Sequence, residues 1–394
     1  MNMPVNKALS HENKVFATLV ECAQKIYDPR DKSKVKYPLY NIIVLALCGL
    51  LGGANNWVEI ADFAKSRRKW IKKYLKIPCR APSHDTFSRV FSMIHPRDLS
   101  SFIGAWLRDV IKSKLLSEGM SLEAVNDALR VINIDGKIIE SYSSDDPLIL
   151  VRAWCNHTKS VLEQFRVPAY TNEINAIPEL LNMLLLEGKI ITIDAIGTQK
   201  KIVKQIRKFN GHYLLSLKGN QHVFFKDVKL FLDSLINGDF GDFSYHETLD
   251  KDHGRIEKRR CWSTENISWL TQRFEWEDLK SISVVETTIE KMGKVSTNKR
   301  YIISDLNADA ERIMRILRGH WSIENGLHWH LDVTFNEDKS TIKRFFGPQN
   351  ISFMRSVAVS LLGTFLPELG FSRKRRFVNN KPSLLRKILL NLGC

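Results

Sequence analysis

The stretch Val131-Ile132-Asn133-Ile134-Asp135-Gly136-Lys137 decides the fold of this 394-residue chain. An apolar, β-branched run closed by an acid and a glycine reads as a short buried strand that ends at a turn. The run Ile190-Ile191-Thr192-Ile193-Asp194-Ala195 repeats the pattern. A carboxylate at the end of a buried strand is unfavourable unless something compensates it. A third acid, Glu324, lies in the helix-like stretch Arg318-Gly319-His320-Trp321-Ser322-Ile323-Glu324-Asn325. Mg²⁺ takes hard oxygen ligands and keeps several waters, so two strand-end acids and one helical acid suffice for a divalent-metal cage. Taken singly, an Asp closing a strand is more often a turn former or a helix N-cap, and a lone helical Glu is more often solvated.

Outward from these strands, residues 148–154 and 160–167 read as two more strands and 173–186 as a helix. Residues 190–194 are again a strand, 199–208 a basic helix and 213–217 a fifth strand. That order is expected of an α/β fold with a mixed five-stranded sheet flanked by helices. Residues 220–305 break the rhythm. They carry β-like runs at 283–289 and 300–304 between charged turns, and read as a β-rich insertion. Helical texture returns over 308–331 and 351–362. The expected organisation is a helical N-terminal domain (1–100), a core in two pieces (125–219 and 306–366), the insertion (220–305) and a basic C-terminal segment (367–394).

Within the N-terminal block, Pro38 sits where a helix start tolerates proline, and Ser83 is placed to cap a helix. Lys65-Ser66-Arg67-Arg68-Lys69-Trp70-Ile71-Lys72-Lys73 is a basic, aromatic-punctuated face that suits DNA or plain solvent. Arg373-Lys374-Arg375-Arg376 reads either as a nonspecific DNA contact or as a frayed solubilising tail.

Lys and Arg number 59 against 43 Asp and Glu, a formal net charge of +16. Such a surface suits a polyanion, with nucleic acid first, although a merely basic soluble protein has the same charge. Hydrophobic residues make up 44% of the chain, which excludes a disordered one. The six cysteines, at 22, 48, 79, 155, 261 and 394, show no zinc spacing and read as reduced thiols. Met1 to Lys14 lacks the order of a signal peptide. The apolar run Tyr40 to Ala54 falls short of the ~20 residues that span a bilayer and reads as a core helix. The expectation is a cytoplasmic, nucleoid-associated protein with no membrane partner.

His320, Glu324, His328 and Asp332 recur every four residues and share one side of a helix. Such a stripe suits a transition metal. More often it is made of histidines that touch phosphate, orient Glu324 or fill satisfied core positions.

Taken together, several motifs resemble a known family. They are Asp135-Gly136-Lys137, Asn172-Glu173-Ile174-Asn175-Ala176-Ile177-Pro178-Glu179-Leu180-Leu181, Thr192-Ile193-Asp194-Ala195 with Gln199, and Lys218-Gly219-Asn220-Gln221. To these add His253-Gly254-Arg255-Ile256-Glu257, His320-Trp321-Ser322-Ile323-Glu324-Asn325 and Leu331-Asp332-Val333. The combination resembles the H-repeat-associated bacterial insertion-sequence transposases, a group of the DDE class. Asp28-Pro29-Arg30 and Pro82-Ser83-His84-Asp85-Thr86-Phe87 are similar to that group's N-terminal domain, and the likeness runs over roughly residues 20 to 365.

The resemblance implies a ribonuclease-H-like core interrupted by a β-rich insertion. It implies Asp135, Asp194 and Glu324 as catalytic acids binding two Mg²⁺ or Mn²⁺ ions. Water would nick the element end, and the freed 3′-hydroxyl would attack target DNA with no covalent protein–DNA intermediate. The implied partners are double-stranded DNA, at terminal inverted repeats and at the target, and a second copy of the chain in the synapsed state. Candidate DNA contacts are Lys137, Gln199, Lys218, Arg255, His320, Asn325 and His328. Related families carry Tyr, Arg and Lys around the final Glu. Here His320 stands four places before Glu324 and Leu331 seven places after it, and Glu140 follows the Asp-Gly-Lys turn where a basic residue is expected. Those departures leave two alternatives: a DNA-binding relative without catalysis, and a metal-dependent nuclease without strand transfer.

Overall fold

A computed structural model describes residues 19–75, 80–140, 147–238, 242–252, 254–365 and 367–390. The readings placed on Met1 to Lys14, Cys79, His253 and Cys394 fall outside the described residues.

The helices that lead into the sheet include α1 (Leu39–Leu51), α2 (Trp57–Ser66), α3 (Arg68–Leu75), α4 (His84–Met93), α5 (Pro96–Ser117) and α6 (Leu122–Ala128). Their starts follow local rules. Asn56 caps α2 by accepting from the Glu59 N–H at 2.9 Å, while the Glu59 carboxylate accepts from Asn55 N–H at 2.7 Å. The Ser83 hydroxyl accepts from Thr86 N–H at the start of α4. Every residue of α1 except Tyr40 is buried, and among the described residues no helix is long and apolar enough to cross a membrane.

Strands β1 (Val131–Ile139), β2 (Leu148–Cys155), β3 (Ser160–Arg166), β4 (Ile190–Ile193) and β5 (His212–Leu217) follow, with α7 (Glu173–Asn182) and α8 (Lys200–Lys208) between them. β1, β4 and β5 run parallel, and β2 and β3 pair antiparallel on the outer side of β1. After α9 (His222–Ile236) come β6 (Ser244–Asp252), β7 (Arg255–Thr264), β8 (Ser281–Lys291) and β9 (Lys294–Ser304).

The sheet corrects the five-stranded expectation. It has nine strands in the order β3-β2-β1-β4-β5-β9-β8-β7-β6. β9 pairs antiparallel with β5 through Leu214↔Ser304 and Leu217↔Tyr301. Left alone, β5 would present an open edge of unpaired backbone groups, and the apolar end of β9 covers it. The segment 220–305 therefore continues the same sheet. Strand β1 also runs past Asp135 to Ile139 along β2. What ends beside Asp135 is its pairing with β4, whose last partners are Ile134 and Ile193.

Strand alternation divides the sheet into two buried faces. One carries Ile132, Ile134, Ile191, Ile193, Tyr213, Leu215 and Ile303 against α7, α8 and α9. The other carries Ile190, Leu214, Val285 and Ile302 against α10 (Ala310–His320). Beyond α10 come a five-residue π-turn (Glu324–His328), α11 (Trp329–Val333), α12 (Gly347–Thr364), α13 (Phe371–Asn380) and α14 (Pro382–Leu390). α12 is buried over almost its whole length, and one apolar core joins it to α1, α2, α4 and α5 and to Trp154 and Val161 of the sheet.

The basic cluster at 373–376 is not a frayed tail: it lies in α13, with Arg373 and Arg376 exposed. Lys374 and Arg375 are buried in α13. Lys374 donates to Leu362 O at 2.8 Å. Arg375 donates to Leu50 O at 3.1 Å, to Ala54 O at 2.8 Å and to Thr334 O. The Leu50 carbonyl, in the last turn of α1, also accepts from Gly53 N–H at 3.3 Å.

Candidate active site at the ends of the parallel strands

Side-chain parity brings the acids together. Asp135 shares its face with Asn133, whose amide donates to Gly319 O in α10 at 2.9 Å. Asp194 shares its face with Thr192, which hydrogen-bonds His320 Nδ1 at 2.9 Å. Both acids therefore lie on the α10 side, where the parallel strands stop. Glu324 arrives from the π-turn. The three line one cleft of about 300 Å³ with Lys218, Phe225, Asn298, Lys299, Arg300, Tyr301, His320 and Trp321.

Electrostatics report the same proximity. Burial, then the charge of Asp194, with Glu324 and Glu173 adding to them, raise the Asp135 carboxyl to about 7 against a hydrogen bond from Gly136 N–H. Clustered carboxylates with raised proton affinity mark a place where cations are welcome. As the side chains stand, no three His, Cys, Asp or Glu among the described residues form a set that could hold a metal ion. The oxygen chemistry of the cleft fits Mg²⁺ or Mn²⁺, which bind through few protein ligands plus water.

The helical stripe is interrupted. α10 ends at His320, and the π-turn bonds Trp329 N–H to Glu324 O. A π-turn inserts a residue into the helical repeat and re-aims the side chains beyond it. Even so, His320, Glu324 and His328 face the strand ends. Burial lowers the His320 pKa to about 4 and that of His328 well below its ordinary value, so both are neutral at pH 7. His328 Nδ1 lies 3.6 Å from Asp135 Oδ2, a contact of a neutral ring and no ion pair. Asp332 pairs with Lys137 at 2.8 Å, which leaves no His-and-acid stripe for a transition metal.

The remaining candidates divide. Lys218 lies in the cleft. Asn325 is exposed on the π-turn beside Glu324. Lys137 shares the strand face of Asp135 but is outside the cleft lining, held by Asp332 at 2.8 Å and by Asp338 at 3.0 Å. Gln199 precedes α8, donates to Ile196 O and accepts from Gln221, outside the cleft lining. Arg255 stands at the tip of the β6–β7 hairpin, paired with Glu257 at 2.8 Å. The exposed Glu140 donates its backbone N–H to Asp338 across a long 3.4 Å, and it too stays out of the lining.

Two further residues beside the acids were not singled out as site residues by the sequence, although Glu173 lies in the motif 172–181. Glu173 opens α7 on the opposite sheet face, and its carboxylate fills the space where a side chain at Gly136 would stand. Burial and the charge of Asp194 raise its pKa. The reason for a glycine after Asp135 is thus room for a fourth acid, visible only once α7 is packed. Arg300 reaches the cleft from β9; finding it requires the β5–β9 register.

The mixed α/β sheet thus holds Asp135 and Asp194 where the β1–β4 pairing stops, in one cleft with Glu324. Residues 20–107 match the family described as DDE_Tnp_1-associated, and residues 148–361, more than half of the chain, match the Transposase DDE domain. Asp194 and Glu324 lie inside that second match and Asp135 before it. The chain is 34% identical to "Putative transposase YncI" of Escherichia coli O157:H7, over 94% of each chain. It is 33% identical to "H repeat-associated putative transposase YhhI" of Escherichia coli strain K12, over 95% of this chain and 98% of that one. The protein belongs to the DDE-domain transposase family, in its H-repeat-associated group. A cryo-EM structure of the piggyBac transposase synaptic complex with hairpin DNA aligns at a TM-score of 0.39 and 11% identity, over 99% of this chain and 83% of that chain. That likeness is too weak to bear on fold or function.

Proposed function

We propose that the cleft cuts and joins DNA at the ends of an insertion element, with Asp135, Asp194 and Glu324 holding two Mg²⁺ or Mn²⁺ ions. The observation that carries this reading is the meeting of the three carboxylates in one cleft, with Asp135 raised to about 7 by burial and by its acidic neighbours. Bound there, the ions would make water nucleophilic at neutral pH and stabilise the departing 3′-oxygen.

The chain's own residues do the rest. Asp135 and Asp194 directly follow Ile134 and Ile193, the last pair of the β1–β4 ladder, which sets their spacing. His320, neutral and tied to Thr192, seats the end of α10 on β4. Lys218, at the end of β5, offers a cation to a DNA phosphate, and Asn325 an exposed amide. On this reading residues 125–219 and 306–366 form a ribonuclease-H-like core, 220–305 its insertion and 1–100 a DNA-binding helical unit. Two copies meet when paired element ends are brought together.

The test uses purified full-length protein, duplexes carrying the inverted repeats that flank its gene, and Mg²⁺ or Mn²⁺. Asp135→Asn, Asp194→Asn and Glu324→Gln should each bind the ends and fail to nick them. Products joined to target DNA should form only with the wild type. A variant that keeps nicking removes its residue from the site, and metal-independent nicking rejects the mechanism.

A further inference from the structure

Among the cleft-lining cations, Arg300 is the half-buried one without an ion pair; Lys218, which has none among the described residues either, is exposed. Lys299, its neighbour, points to the other sheet face and pairs with Asp233 at 2.9 Å. Arg300 shares the parity of Ile302 and so faces α10, like Asp135 and Asp194. It is half-buried, and among the described residues no ion pair holds it. Its guanidinium carbon lies 3.7 Å from the centre of the Trp321 ring, which stands three residues before Glu324. Burial lowers its pKa while the charge of Glu324 supports it, and the group remains a cation.

Stacking occupies only the flat face of a guanidinium. The coplanar N–H groups around its rim stay free to donate, in the fork geometry that matches two oxygens of one phosphate. A half-buried cation without a protein anion, beside a cluster of carboxylates, lacks a partner that a nucleotide phosphate supplies. We infer that Arg300, carried in by the insertion strand β9 and laid flat on Trp321, clamps a DNA phosphate in the catalytic cleft. Trp321 is its positioning residue: it fixes the plane in which the fork points. The inference rests on the cleft being the site of DNA cutting.

The experiment compares wild type with Arg300→Gln, Arg300→Lys and Trp321→Ala on end-containing duplexes in Mg²⁺. Single-turnover nicking should fall on the order of 10²-fold in Arg300→Gln, the usual loss for one preorganised donor at developing charge. Arg300→Lys should recover part of the rate, since it keeps the charge and loses the fork. The salt slope of end binding should shrink by about one phosphate contact in Arg300→Gln. Substrates bearing one neutral methylphosphonate, placed in turn near the cut, identify the partner. At that position wild type should drop to the Arg300→Gln rate and the variant should drop no further. Wild-type nicking and salt slope in Arg300→Gln would overturn the inference, as would methylphosphonate losses that are equal in both proteins at every position. Asp135→Asn separates the two failures. If it abolishes nicking while Arg300→Gln does not, the clamp alone is wrong; if Asp135→Asn still nicks, the cleft is not the cutting site.

Discussion

Between pH 4 and 7 the Asp135 carboxyl of the folded, metal-free chain keeps a proton that the unfolded chain releases, because burial and Asp194 lift it to about 7. Linkage sets the sign. A carboxyl raised by folding favours the native state at low pH, and that advantage disappears as pH climbs through the folded value. Above pH 7 the ionised Asp135 is a burden on the fold of roughly 2–4 kcal/mol by the size of the shift. Asp135→Asn, inactive on the proposed mechanism, should therefore melt higher than wild type at pH 8 without metal, with the gap closing toward pH 4. Paired thermal melts across that range test it, and a gap independent of pH would reject the account. Lys137, two residues after Asp135, pairs with Asp332 and Asp338, acids whose approach no local pattern announces.

Among the elements, α13 shows how much can depend on one side chain. Arg375 joins the end of α1 to the loop after α11 through Leu50, Ala54 and Thr334 carbonyls and the Asn55 side chain at 2.9 Å. Replacing it with Met keeps much of the volume and strands those acceptors in a dry interior. The expected loss is about 3 kcal/mol in denaturant unfolding. Arg376→Met, an exposed neighbour, should change little. Equal, small effects would mean that water replaces the guanidinium. Sequence could show a basic cluster here but not burial, since the Leu50 and Ala54 carbonyls come from about 320 residues upstream. The strands beside Asp135 and Asp194 were legible because an apolar run closed by an acid is a local signal, although β1 runs on past Asp135 to Ile139. The π-turn at Glu324–His328 was not, because a single displaced hydrogen bond leaves residue spacing unchanged. The joining of β9 to β5 was hidden for a related reason: pairing partners some 90 residues apart leave no periodic trace.

For the whole molecule, the core shared by α12 and the N-terminal helices makes those helices part of the solubility of the rest. A chain begun at residue 121 would bare the face of α12 that packs on α1, α4 and α5, an apolar surface of the kind that drives association. It should be recovered as aggregates, or as a dye-binding state without a cooperative melt. A monodisperse fragment with a sharp transition would show the two parts to be separable. The continuous sheet has a different consequence. From Tyr301, opposite the end of β5, to Lys294 at the hairpin tip, β9 extends about 23 Å past the parallel strands at ~3.3 Å per residue. No joint interrupts the ladder over that length, so the protrusion is a fixed ruler. A duplex leaving the cleft alongside it would meet the tip after about seven base pairs, and shortening the hairpin by whole residue pairs would move that meeting point in equal steps.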